Sequence, residues 1–228
     1  RSNFQFEINS KMQKQGYVYI LGAKSAVQRK NELKKITEQH GHSKPLKTEK
    51  RTTSFIGKNG PVWILQNVEI KKGTHRGLLD ESTYAWFRDQ SGALAPQLKT
   101  HQLEKTEFNF YEANETIIRA CVVGLELASY NFLNAYNRVA APSQVINLVL
   151  ATKNKSVRLD KKLLQKFQIE AKSIQLARHL VNLPPNDINP ETVEILIKKD
   201  LGFPKTLKID VWDHKKLAAE NMNLHLAV

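Results

Sequence analysis

Ala177-Arg178-His179-Leu180-Val181-Asn182-Leu183-Pro184-Pro185-Asn186-Asp187-Ile188-Asn189-Pro190 is the stretch around which the chain divides. Two successive prolines cannot continue a helix, and Asn189-Pro190 supplies a cap followed by a residue pre-set for a first helical turn. Upstream, Asp160 to Asn182 is predicted as one amphipathic helix, with Leu163, Leu164, Phe167, Ile169, Ile174, Leu176 and Leu180 as its apolar positions. Its length exceeds the usual globular range and suggests a link between two bodies. Downstream, a helix starts at Asn189-Pro190-Glu191, then a strand at Thr206 to Trp212, a short helix at Asp213 to Glu220 and a last strand at Leu224 to Val228. A piece running only from Pro184 to Val228 buries too little surface to stand alone, and its final strand has no closing turn. The expected organisation is residues 1–155 as one domain, 156–183 as a connecting helix and 184–228 as the truncated start of a second α/β domain. Because the chain opens on Arg1, some upstream residues are also expected.

Working back toward the N-terminus, strand and helix periods alternate, which predicts an α/β fold with helices against a mixed sheet. Phe4 to Ile8 alternates as a half-exposed strand, and Tyr17 to Leu21 is a buried strand. Ala26 to His40 is a helix with Val27, Leu33 and Ile36 inward, ended by Gly41. Thr53 to Ile56 and Val62 to Ile70 flank Lys58-Asn59-Gly60-Pro61, an Asn-Gly hairpin signal. Asp80 to Asp89 is predicted helical with Asp80 or Ser82 as cap, Thr106 to Tyr111 a strand, Asn114 to Tyr136 a strongly apolar helix, and Gln144 to Ala151 a central strand.

Composition bounds the function classes. The 228 residues are 41% hydrophobic and carry a formal charge of +13, so a core can form and global disorder is excluded. The single cysteine, Cys121, rules out an intrachain disulfide and points to a reducing, cytoplasmic setting. The apolar runs Tyr17 to Ala23 and Val145 to Ala151 are far shorter than a membrane-spanning helix, so no membrane partner is expected. Between Lys11 and Lys58, twelve cations stand against Glu32, Glu38 and Glu49. Such a face neutralises nucleic-acid phosphates without sequence preference, with Lys24, Arg29, Lys30, Lys34, Lys35, Lys47, Lys50 and Arg51 as candidate contacts. A solvated lysine-rich surface accounts for the same charge.

The familiar catalytic and nucleotide motifs are missing. No Gly-x-Gly-x-x-Gly, P-loop, His-Glu-x-x-His, Cys-x-x-Cys or Gly-x-Ser-x-Gly occurs. His40-Gly41-His42 sets two imidazoles close together without a third ligand nearby in sequence. Leu21-Gly22-Ala23-Lys24-Ser25 lies between a strand and a helix, where amides can cradle phosphate, but one glycine is also ordinary punctuation of such a turn. Cys121 falls on an apolar helix face and reads as core, as do Trp63, Trp86 and Trp212.

The stretch from Ala177 to Pro190 resembles the signature of the leucyl aminopeptidase (cytosol aminopeptidase) family, in which an Ala-Arg helix end runs into a Pro-Asn segment opening the catalytic domain. Gly124 to Phe132 looks like that family's last large N-terminal helix, and Asn221 to Val228 resembles the strand approaching its active site, with Asn223 where glycine is usual. The resemblance covers about residues 114–228 by motif and the first hundred by element order alone. It implies a macro-domain-like N-terminal domain, a connecting helix and the beginning of a catalytic domain in a two-metal exopeptidase that removes N-terminal residues from peptides. It also implies hexamers, and two divalent ions, zinc or manganese, held by residues downstream of Val228. No catalytic or metal-ligating residue is therefore carried onto this chain, which is expected to be inactive alone and to serve assembly and access. The scattered acids Asp187, Glu191, Glu194, Asp200, Asp210, Asp213 and Glu220 agree with that expectation.

Overall fold

The computed structural model describes residues 4–10, 15–22, 25–69, 81–111, 114–132, 144–151, 157–196, 206 and 208–222. Their contacts divide into two units, Arg1–Arg178 and His179–Val228. In the first, β1 (Phe4–Ile8), β2 (Gly16–Leu21), β3 (Arg51–Gly57), β4 (Gly60–Gln66), β5 (Lys105–Phe110) and β6 (Gln144–Leu150) form one sheet in the order β1-β6-β5-β2-β4-β3. Every neighbouring pair is parallel except the β3–β4 hairpin. The Asn-Gly signal is borne out there: Gly57 pairs with Gly60, whose φ of 119° is open to glycine and strained for other residues. The helices are α1 (Ala26–Gln39), α2 (Glu81–Thr100), α3 (Glu115–Ala128) and α4 (Lys161–Asn182), which gives the mixed α/β sheet flanked by helices that the alternation predicts.

Strand alternation sorts the core into two clusters. Leu33 and Ile36 of α1 cover Tyr19, Leu21, Val62 and Ile64 on one face. On the other, Val18, Ile20, Trp63, Leu65, Phe108, Phe110, Ile146 and Leu148 meet α2, α3 and, through Leu164 and Phe167, α4. Along α3 every residue from Thr116 to Glu126 is buried except Arg119. The β6–β5 half of the α1-side face is polar instead, with Asn147 and Glu107 opposite one another in register. The β1–β2 connection explains it. Asn147 accepts from Ser10 N (2.8 Å) and donates to Ser10 O (3.1 Å), and Gln15 Oε1 takes Glu104 N (2.7 Å). Irregular backbone packed on a sheet carries polar groups that only polar side chains can satisfy.

Several elements depart from the sequence expectation. α2 runs eleven residues past Asp89, through Pro96. Proline withholds the donor for the Gly92 carbonyl, and one residue on Gln97 Nε2 donates to Ala93 O (3.1 Å). Gly92 and Gly124 mark where α2 and α3 nearly touch: a Cβ on Gly124 would sit 2.1 Å from Arg88 O. α3 ends at Ala128 because Ser129 bends back, its Oγ donating to Glu126 O (2.6 Å). Val27 and Ile169 face solvent, at 69% and 64% exposure, and Thr37 joins Leu33 and Ile36 on the inner side of α1.

In the second unit, α4 closes at Asn182, Asp187 N and Ile188 N both bond Pro184 O (2.8 and 3.1 Å), and Asn189 caps α5 (Pro190–Ile195) by a reciprocal pair with Thr192. α6 (His214–Ala219) is capped by Asp213. Thr206 and residues 208–212 form no strand, contrary to expectation, and Trp212 is 39% exposed rather than core. Its indole Nε1 donates to Asp210 (2.9 Å) and its ring lies under Lys216 (4.4 Å), contacts that hold it at the surface. The strand expected at Leu224–Val228 lies outside the described residues.

Two substitutions test this architecture. Helix propensity alone favours Gly124→Ala by about 1 kcal/mol, so a net loss of about 1–3 kcal/mol in urea unfolding is the expected sign of the α2–α3 backbone contact, and a gain would contradict it. Asn147→Leu keeps the side-chain volume but strands the Ser10 groups. It should cost about 1–3 kcal/mol and speed amide exchange at Ser10.

Candidate functional site

The candidate contacts for an anionic partner occupy α1, the loop after it and β3. Lys30, Lys34 and Lys35 are exposed on α1, while Arg29 is half-buried. Lys34 lies 3.7 Å from Glu38, Lys50 bonds Glu69 at 2.9 Å and Arg51 approaches Glu49 at 3.9 Å. Lys30, Lys35 and Lys47 are exposed and make no ion pair among the described residues. Lys24 lies outside the described residues, as does Ala23. Of the Leu21–Ser25 turn, the structure therefore shows Gly22 buried and Ser25 capping α1 by a reciprocal pair with Gln28. That cap occupies one of the amides an anion would use.

His40 and His42 part company. His40 is buried with Nε2 on the Tyr19 hydroxyl (2.7 Å), whereas His42 stacks on Phe55 with ring centres 4.2 Å apart. Among the described residues no group of three His, Cys, Asp or Glu is placed to hold a metal ion. Downstream of Pro184, Asp200 lies outside the described residues, and Asp210 is held below the usual carboxylate range by its bonds to Trp212 and Lys216. The donors present do not assemble a centre for the metals that the leucyl aminopeptidase resemblance implies.

Cys121 is buried, and burial pushes its thiol up to about 12, so a thiolate is not available near neutral pH. Trp63 is core, its Nε1 satisfied by Gln97 Oε1 (2.8 Å), and Trp86 packs against the same cluster.

The most developed polar constellation was not visible in the sequence. Arg119, the half-exposed residue of α3's buried run, grips Glu170 of α4 through two bonds of 2.7 and 2.6 Å. Tyr84 of α2 lies beneath it, ring centre 5.0 Å from the guanidinium, with its hydroxyl 3.4 Å from Glu170. Burial and the Glu170 charge raise the Tyr84 phenol above its usual value, while the hydrogen bonds to Glu170 raise Arg119. A second set of contacts lies at the α3 C-terminus. Gln175 donates to Glu126 O, Arg178 to Leu127 O (3.3 Å), and the Arg178 guanidinium covers Tyr130 at 4.9 Å. These donors add to the bonds that the last carbonyls of α3 already accept, and the cation suits the negative pole there. The constellation positions α4; nothing in it is a nucleophile or a general base facing a cleft. Its only sequence signal is that Arg119 interrupts an apolar run and that Glu170, Gln175 and Arg178 share one stripe of α4.

Comparison with known proteins gives two findings. Over 183 residues the chain is 26% identical to a probable cytosol aminopeptidase of Wolinella succinogenes, a match covering 78% of this chain and 37% of that protein. Its fold matches a mutant of tomato leucine aminopeptidase with a TM-score of 0.64 at 11% identity, covering 97% of this chain and 46% of that one. The chain thus spans less than half the length of either protein. No family model matches. The sequence likeness is to a cytosol aminopeptidase, and the fold is that of the matching part of a leucine aminopeptidase.

Proposed function

We propose that this chain is the N-terminal part of a longer, leucyl-aminopeptidase-like exopeptidase, with residues 1–155 as its N-terminal domain, 156–183 as the connecting helix and 184–228 as the opening of the catalytic domain. The observation that carries the reading is the alignment with the Wolinella cytosol aminopeptidase, which takes in most of this chain and little more than a third of that protein. The exposed Ile195, Ile209, Val211 and Trp212 of the second unit add support, since that many apolar side chains at the surface of so short a segment fit a body completed by further polypeptide. On this reading the chemistry belongs to the remainder: two divalent ions, zinc or manganese, the peptide substrate and its N-terminal residue. The described chain serves assembly, as a hexamer in the cytoplasm, and access.

The 228-residue chain should leave leucine amide uncleaved with zinc or manganese added, while a polypeptide extended to the length of the Wolinella protein should cleave it and sediment as a hexamer. Turnover by the short chain would overturn the assignment.

A second reading rests on the exposed, unpaired Lys30, Lys35 and Lys47: non-specific binding of nucleic acid by the basic face. It requires fluorescence anisotropy to show binding of a DNA or RNA oligomer at 50 mM salt that falls steeply by 200 mM, and weakens in Lys30→Glu/Lys35→Glu. No binding at low salt would remove it.

A further inference from the structure

We propose that His40 is an acid-sensitive latch between the C-terminal end of α1 and the β3–β4 hairpin, and that its protonation loosens this corner of the molecule while the α2–α3 side of the sheet stays closed.

Three elements meet at this one residue. Its backbone N–H closes α1 on Ile36 O (3.2 Å), and its carbonyl accepts from Lys58 N (2.9 Å) in the hairpin turn. Gly57 lies so near that a Cβ there would sit 2.8 Å from His40 Cβ. The side chain is 1% exposed, with ring centres of Tyr17, Tyr19 and Phe55 at 4.6, 5.6 and 6.5 Å. Tyr19 holds Nε2, while Nδ1 has no hydrogen-bond partner. A neutral imidazole leaves one buried atom unsatisfied, a modest cost. An imidazolium would leave a charged N–H unsatisfied, which costs far more.

The surrounding groups give the cation no help. β2 contributes the phenols of Tyr17 and Tyr19, and burial, together with Tyr111 and Glu107, keeps Tyr19 protonated. β3 contributes Phe55, and the turn contributes the Lys58 ammonium. Of the acids on α1, Glu38 is exposed and directed at Lys34 and Glu32 acts on Tyr111, and His42 lies on Phe55. Burial first, and Lys58 second, hold the His40 imidazole below its usual value of 6.5. The sign of the linkage follows. The closed state binds no proton near pH 7, and the opened state takes one up below about 6.5, so the latch is at full strength above that pH and weakens as pH falls through it.

Hydrogen exchange of the 228-residue chain at pH 7.5 and 5.5, corrected for intrinsic rates, reads this out. The Gly41, His42 and Lys58 amides, bonded to Glu38, Thr37 and His40 carbonyls, should open roughly tenfold more often at pH 5.5. Those of α3 should not change. His40→Gln, which keeps a neutral partner for Tyr19, should lose the step. If that variant does not fold, NMR titration of His40 in the native chain decides: a midpoint below that of the urea-unfolded chain is expected. Equal opening at both pH values, the same step in His40→Gln, or an ordinary midpoint overturns the proposal.

Discussion

The constraint on which the first unit depends is the near-complete burial of α3. A helix apolar around its circumference needs cover on every side, and the sheet, α2 and α4 provide it. Each cover imposes its own requirement. The α2 side requires backbones close enough that Gly124 cannot carry a side chain. The α4 side requires Leu164 and Phe167 to fill the remaining apolar surface, and Arg119, the single half-exposed residue in the run, to find Glu170. The long helix is thus a wall of the first unit up to Arg178, and the same unbroken helix carries the chain into the second.

Polar burial in this fold is organised by what lies over the sheet. Where α1 covers β2 and β4, the facing residues are Tyr19, Leu21, Val62 and Ile64. At β6 and β5 the facing residues are Asn147 and Glu107, and Asn147 bonds the backbone of Ser10, just past β1, directly. One face of one sheet therefore carries two chemistries, divided along the seam between β5 and β2. A buried asparagine bonded to backbone on a distant segment fixes the path of that segment as well as its stability, because any shift leaves both partners unsatisfied.

Elements with their own local signals were legible in the sequence. The Asn59-Gly60 turn fixes the hairpin, alternation locates β1 and β5, short apolar runs locate β2 and β6, and Pro184-Pro185 stops α4 where expected. What escaped depends on distant partners. Gly92 and Pro96 read as helix breakers by propensity, yet α2 runs through both, and the first faces the approach of α3. Ile169 satisfies the helical period and still faces solvent, since α4 needs only a narrow apolar stripe. Trp212 reads as core from its apolar neighbours, but Asp210 and Lys216 engage it at the surface. The pairing of Tyr19 with His40 and of Arg119 with Glu170, 21 and 51 residues apart, cannot be read from local pattern, although Arg119 does interrupt an apolar run.

The titratable groups of the interior bear on what such a domain can do. Tyr19, Tyr84, Tyr111 and Cys121 are raised and His40 is lowered, with burial the leading cause each time, so all five are driven toward their neutral forms. Catalytic sites combine desolvation with a specific charge partner and an opening to substrate, which moves a group toward the pH at which it must exchange protons. Four of these groups move away from that range, and the fifth, His40, is enclosed by aromatic rings and backbone. Desolvation without access makes a side chain part of the packing.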